Sequence, residues 1–276
     1  MKILRAFSLT VILAILIAGS FRLSGVRQSS SAGSHPAHNA MIVAELFTSE
    51  GCSSCPPADE LLSRLVQQQP VAGVTVLGLS ENVDYWNRLG WVDPFSSSAF
   101  TRRQSDYAAQ VFRSSGVYTP QIVIDGSLEE VGSDAKGIYR KIAQAATVPK
   151  AAMNITATLT PAASGLQIQV EVEVPPEIAF REPANMILAV TEDNLASDVH
   201  RGENRGRLLR HNAVVRSLEN VSEITPPTRS WSKTTSVGGA REWKRENLKV
   251  IGFLQEQQSR RIIGAGWSKV ESPAAR

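Results

Sequence analysis

The sequence predicts two differently built halves: an α/β domain over residues 41–147 and an all-β, sandwich-like domain over residues 150–272. Three observations carry this. Strand-length apolar runs alternate with helical patterns up to residue 147. Beyond Pro149 the apolar period becomes two, as in half-buried strands. A chain of 276 residues holds one large domain or two modest ones, and is long enough to bury a core without staples.

Taken in order, Lys2 and Arg5 precede an apolar run from Ala6 to Ala18, and Gly19 and Ser20 follow. Residues 1–20 have the form of a secretory signal peptide. The alternative is an uncleaved N-terminal membrane anchor, although the run is shorter than the ~20 apolar residues of a span. Residues 21–40, rich in Ser, Gly and His, read as a linker. The expected location is therefore outside the cytoplasm, periplasmic or extracellular, with or without a membrane tether.

Met41 to Phe47 is a mostly apolar run of strand length. Gly51-Cys-Ser-Ser-Cys55 is a turn. Pro56 to Gln69 reads as a helix: proline suits its first turn, Asp59 and Glu60 suit its positive end, and Leu61, Leu62, Leu65 and Val66 recur at helical spacing. Val74–Leu79 is a second strand, Ser98–Val111 a helix, Tyr118–Gly126 a strand with Pro120 at its start, Ser127–Val131 a short strand and Asp134–Ala146 a helix. In the second half Leu166, Ile168, Val170, Val172 and Val174 alternate with polar residues. Asn154–Leu159, Met186–Thr191, Ala213–Leu218, Leu248–Leu254 and Arg261–Trp267 add strand-like runs.

Charge and cysteine count bound the function. Removing Lys2 and Arg5 from the 29 basic residues leaves 27 against 26 acidic ones. A nearly neutral chain lacks the cationic excess that drives nucleic-acid binding, so no nucleic-acid partner is expected. Two cysteines cannot form a disulfide framework. A disulfide between Cys52 and Cys55 would close almost the shortest loop available, where a structural staple gains little. Outside the cytoplasm such a pair persists oxidised, and as a redox pair it has a use. Cys52 stands after a strand and before a helix, where unpaired N–H groups and the helix dipole favour a thiolate. Cys52 is then the attacking thiol and Cys55 the resolving one.

Cys52-Ser-Ser-Cys55 between strand and helix, Thr119-Pro120 ahead of a later strand, and the order of elements resemble the thioredoxin superfamily over residues 41–147. The resemblance implies a thioredoxin-like fold for this half, with Thr119 and Pro120 beside the two sulfurs and Pro120 in the cis form. It is incomplete: Leu46 stands where thioredoxins carry a buried acid, and Gly51 where they carry an aromatic residue. Glu45 and Glu50 are the candidate replacements for the missing acid. A longer pattern resembles the exported bacterial proteins grouped as domain-of-unknown-function family 1223. It consists of Glu45 to Asp59, Asp84-Tyr-Trp86, Arg103-Gln104, Tyr118-Thr-Pro-Gln121 and Arg201-Gly-Glu-Asn204.

The expected function is thiol–disulfide exchange with an envelope or secreted protein, or with a small thiol, with no cofactor beyond the Cys52–Cys55 disulfide. One alternative is a non-catalytic binding module. Another is copper or zinc handling, in which the two sulfurs recruit a histidine from His35, His38, His200 and His211. Trp86, Trp91 and Asp93 are expected as core and turn residues, Arg102 to Gln104 as the wet face of a helix, and Arg201 to Arg207 as a structural turn.

Overall fold

The computed structural model describes residues 39–159, 165–239 and 242–271. The expected signal or anchor at 1–20, and residues 21–38 of the expected linker, lie outside the described residues. No helix among the described residues is long and apolar enough to cross a membrane.

The first half runs β1 (Ala40–Thr48), α1 (Pro56–Gln68), β2 (Val74–Asn82), α2 (Ser98–Tyr107), β3 (Gln121–Ile124), β4 (Leu128–Val131) and α3 (Ala135–Ala146). Local chemistry sets the helix ends. Pro56 and Pro57 open α1, the Ser97 hydroxyl accepts the Ala99 N–H at the start of α2, and the Asp134 carboxylate accepts the Gly137 N–H at the start of α3. Gln69, in the left-handed region at φ 47°, ends α1. Its side-chain amide bonds both the N–H and the C=O of Val76, standing in for a neighbouring strand at the edge of β2. The second half contributes β5 (Ala151–Leu159), β6 (Gly165–Glu173), β7 (Ala184–Glu192), β8 (Leu195–Val199), β9 (Arg207–His211), β10 (Val214–Ile224), β11 (Ser230–Gly238), β12 (Leu248–Glu256) and β13 (Ile262–Glu271).

The expectation of a thioredoxin-like α/β domain followed by a separate all-β domain is overturned. Eleven strands form one continuous mixed sheet, in the order β11-β6-β5-β13-β12-β7-β10-β2-β1-β3-β4, and only β8 and β9 stand apart as a hairpin. Strand dominates, with three α-helices among the described residues. The sheet is joined across the two halves by Val214 of β10 and Ser80 of β2, whose N–H donates to the Ala213 carbonyl at 2.7 Å.

The reason is double-sided burial. Ile42, Ala44 and Leu46 of β1 pack under α1 and α3. Val43 turns the other way, onto Ile187 and Ala189 of β7 and Ile251 and Phe253 of β12. Met186, Leu188 and Val190 of β7, with Val250 and Leu254 of β12, face the opposite way again, onto Ile168, Val170 and Val172 of β6. Strands β7 and β12 are thus covered on both faces, as in a sheet between two layers. Each buried Leu, Ile or Phe there contributes about 1.5–3 kcal/mol, and two independent domains would leave one face of each strand wet.

A buried polar cluster fastens the same junction. Arg103 of α2 donates to Glu45 of β1 at 2.5 Å, to the Tyr107 hydroxyl at 3.1 Å and to Gln255 of β12 at 3.1 Å. Glu81 of β2 lies 3.6 Å away. The expectation that Arg103 and Gln104 line a wet helix face is therefore corrected: both are buried, and only Arg102 is exposed. Burial pushes both carboxyls up. For Glu45 the Arg103 charge and hydrogen bonds outweigh this and hold it below its usual range. Burial and the Glu45 charge outweigh the pull of Arg103 and leave Glu81 raised.

Removing the guanidinium strands two buried acids. Arg103→Ala is expected to cost about 3–5 kcal/mol in urea unfolding, the range for breaking a buried ion pair. A loss below about 1 kcal/mol would show that the cluster does not hold the halves together.

Candidate functional site

Cys52 and Cys55 are joined in a disulfide, with Cα atoms 5.4 Å apart. The loop that carries them leaves β1 and enters α1. The Cys52 N–H donates to the Ser49 carbonyl, and the Cys55 carbonyl accepts the N–H groups of Ala58 and Asp59. Pro56 and Pro57 have no N–H, so the first turn of α1 offers fewer free amides to a thiolate than a strand–CxxC–helix pattern suggests. Both cysteines have 0% exposure, whereas Ser53 and Ser54 between them are exposed. The pair lies just beneath the surface, with the Ser54 hydroxyl 3.4 Å from Cys52 Sγ.

The β8–β9 hairpin and its loop cover the pair. Asn204, 1% exposed, donates from Nδ2 to the carbonyls of Glu50 and Cys52, both at 2.9 Å. Glu203 accepts the Ser53 N–H at 3.0 Å. Gly202, at φ +74°, takes a left-handed turn that a side chain rarely adopts, and a Cβ there would stand 3.2 Å from Trp91 Cβ. The expectation of a structural turn at 201–207 is thus met in part: Asn204 and Glu203 are tied directly to the cysteine loop.

Thr119 and Pro120 are joined by a cis peptide bond and connect to the cysteine turn and α1 through Trp86 and Gly132. Trp86 Nε1 donates to Thr119 Oγ1 at 2.8 Å. A Cβ on Gly51 would stand 3.1 Å from Trp86 Cβ, so the missing aromatic at position 51 leaves room for a tryptophan from after β2. Pro120 and Ala58 of α1 both crowd Gly132, where an added Cβ would lie 3.0 and 3.1 Å from theirs.

Neither proposed replacement acid is free. Glu45 is taken by Arg103 and Tyr107. Glu50 accepts Trp91 Nε1 at 2.7 Å and pairs with His211 of β9 at 3.0 Å. Burial raises Glu50, but hydrogen bonds from His211, Ser197 and Trp91 outweigh it and hold the carboxyl low. Beside the cysteine turn, the acid with a buried oxygen that accepts no hydrogen bond is Asp59; Glu81 and Asp125 carry others elsewhere in the fold. Asp59 lies one helical turn after Cys55, so the two side chains share a face of α1. Among the described residues, its Oδ1 is buried without a hydrogen-bond partner, as is His211 Nδ1. Burial pushes Asp59 up to about 7, against the opposing pull of His211. For His211, burial lowers the imidazole pKa, but the Glu50 hydrogen bond and the charges of Asp59, Glu50 and Asp93 outweigh it and leave it raised. The sequence marks Asp59 only as a helix-end charge and His211 only as a candidate metal ligand; the available signal for Asp59 is the i, i+4 spacing from Cys55.

Of the histidines considered for metal, His211 is engaged by Glu50 and His200 stacks edge-on against Trp91 at 6.0 Å; His35 and His38 lie outside the described residues. Among the described residues, no group of three or more His, Cys, Asp or Glu is arranged to hold a metal ion.

The sign of the pH dependence follows from these shifts. Asp59 favours its protonated form in the fold, so its favourable contribution is complete below the unfolded value near 3.8 and is lost as pH rises to about 7. His211 contributes while charged and loses its share as pH rises through its raised value. Urea stability should therefore fall from pH 5 to 8. Asp59→Asn should flatten the part of that fall below pH 7; an unchanged profile would contradict a buried, raised Asp59.

No curated protein matches the sequence. A crystal structure of protein AGR_C_4864 from Agrobacterium tumefaciens is similar with 26% identity and a TM-score of 0.61, covering 82% of this chain and 92% of that one. HBP35 of Porphyromonas gingivalis is similar in fold, with 14% identity and a TM-score of 0.63, over 86% of this chain and 78% of that one. Residues 43–255 match the family model described as protein of unknown function (DUF1223), and the chain belongs to that family.

Proposed function

We propose that this protein exchanges thiols and disulfides through Cys52 and Cys55, acting on an exported protein or a small thiol. The observation that carries this is the Cys52–Cys55 disulfide itself, closed over three residues between β1 and α1 with the buried acid Asp59 one turn behind Cys55. So short a loop adds little stability, whereas two adjacent sulfurs with a buried carboxyl one helical turn along suit exchange.

A partner thiolate attacks Cys52 Sγ and the Cys52–Cys55 bond breaks. Cys55 leaves as a thiolate and takes the proton of the Asp59 carboxyl. A mixed disulfide now joins Cys52 to the partner. The partner's second thiol, as its thiolate, attacks its own sulfur and expels Cys52. The partner dithiol is oxidised to a disulfide and the Cys52–Cys55 pair is reduced by the same two electrons. In the reverse direction the Asp59 carboxylate takes the Cys55 proton, and the Cys55 thiolate attacks the Cys52 sulfur of the mixed disulfide. Direction depends on the difference in reduction potential between the pair and its partner, about 30 mV per 1.4 kcal/mol.

The full burial of both sulfurs favours a second reading, a non-catalytic binding module whose disulfide stays closed. Turnover separates the two. The wild-type chain should catalyse reduction of a protein disulfide such as insulin by dithiothreitol, and Cys52→Ser should lower the rate to the uncatalysed background. Equal rates for the two proteins would favour the binding module.

A further inference from the structure

We infer that the disulfide or thiol taken by this site is flanked by carboxylates, and that Arg201 and Arg205 of the β8–β9 loop recognise them; this rests on the exchange reading above. The loop stands beside the only exposed part of the cysteine turn. Ser53 and Ser54 face solvent, and the loop is bonded to that turn at Ser53 N–H and at the Cys52 carbonyl. A partner reaching Cys52 therefore lies along residues 200–206.

That surface is cationic. Arg201, Arg205, Arg207 and Arg210 are all exposed. Arg207 donates to Asn204 Oδ1 at 2.8 Å, but the guanidinium groups of Arg201, Arg205 and Arg210 have no hydrogen bond or ion pair among the described residues. Two exposed acids share the hairpin, Glu203, whose Oε2 accepts the Ser53 N–H, and Asp198 of β8, so the four arginines outnumber the acids by two. The loop is also fixed before a partner arrives. Asn204 anchors it to the cysteine turn, Gly206 N–H bonds the Val199 carbonyl at 2.7 Å, and Arg205 N–H bonds the Gly202 carbonyl at 3.2 Å. Unpaired guanidiniums on a fixed loop beside the cysteine turn suit bidentate contact with carboxylates and draw anions toward it. A sulfur flanked by lysines meets repulsion on the same path.

The test uses the full chain, reduced, and three symmetric peptide disulfides that differ only beside the cysteine: two glutamates, two serines or two lysines. Dithiodipropionate, a small dicarboxylate disulfide, is the fourth probe. Each rate is divided by that of the same probe with dithiothreitol, which removes its intrinsic reactivity. The glutamate peptide is expected to react about tenfold faster than the lysine peptide at 20 mM salt, the low end of electrostatic steering, with the gap narrowing to about twofold at 500 mM. The Arg201→Ser/Arg205→Ser variant should bring the two rates together, while Lys136→Ser/Arg140→Ser on α3 should preserve the gap. If the glutamate peptide outruns dithiodipropionate, the source is an acidic protein segment; if the two match, it is a small anionic disulfide. Equal rates across the peptides, or a gap that survives in the loop variant, would overturn the inference while leaving exchange standing. No reaction with any probe would overturn the exchange reading, and this inference with it.

Discussion

Strands β7 and β12 are covered on both faces, and that constraint decides the rest of the structure. One face of each meets β1 and β2, the other meets β6. A strand buried on both sides cannot belong to a free-standing second domain. The first half covers one face of β1 and β2 with α1 and α3 and the other only in part with α2, and the second half supplies the remaining cover. Arg103 makes the junction specific: its guanidinium has partners on β1, on α2 and on β12, and a slip of one residue in any of them would bury an unpaired charge.

The site follows from the same arrangement. Joining β10 to β2 brings the preceding hairpin, β8–β9, over the cysteine turn. His211 and Asn204 then reach Glu50 and the Cys52 carbonyl from about 150 residues downstream, at 3.0 and 2.9 Å. The disulfide is therefore a property of both halves. Its ends belong to β1 and α1, its roof to the hairpin, and its flank to Trp86 and Thr119. The disulfide is covered by the hairpin, with exposed arginines on the loop beside it.

Much of this was legible in the residues. The strand–CxxC–helix unit, Thr119-Pro120 and the positions of β6, β7, β12 and α1 follow from period and turn chemistry. The joining of the halves was also written there, in a form easily misread. Met186 to Val190 and Val250 to Leu254 are continuous apolar runs, the mark of a strand covered on both faces, whereas Leu166 to Val174 alternates as a strand with one wet face does. What was not legible is what depends on contacts between distant segments. Arg103 looks like a surface arginine until Glu45 and Gln255 are placed beside it. Asp59 looks like a helix-end charge until burial raises it. The short β8 and β9, with Leu208 exposed and Leu209 buried, carry too little pattern to stand out from the turn between them.

The midpoint potential of the Cys52–Cys55 pair, measured by equilibrating the full chain against dithiol–disulfide buffers, tests the central claim most directly. An exchanging pair should titrate reversibly as a two-electron couple between about −120 and −270 mV, the span of dithiol oxidoreductases. A value below about −300 mV, where structural disulfides lie, would contradict the account.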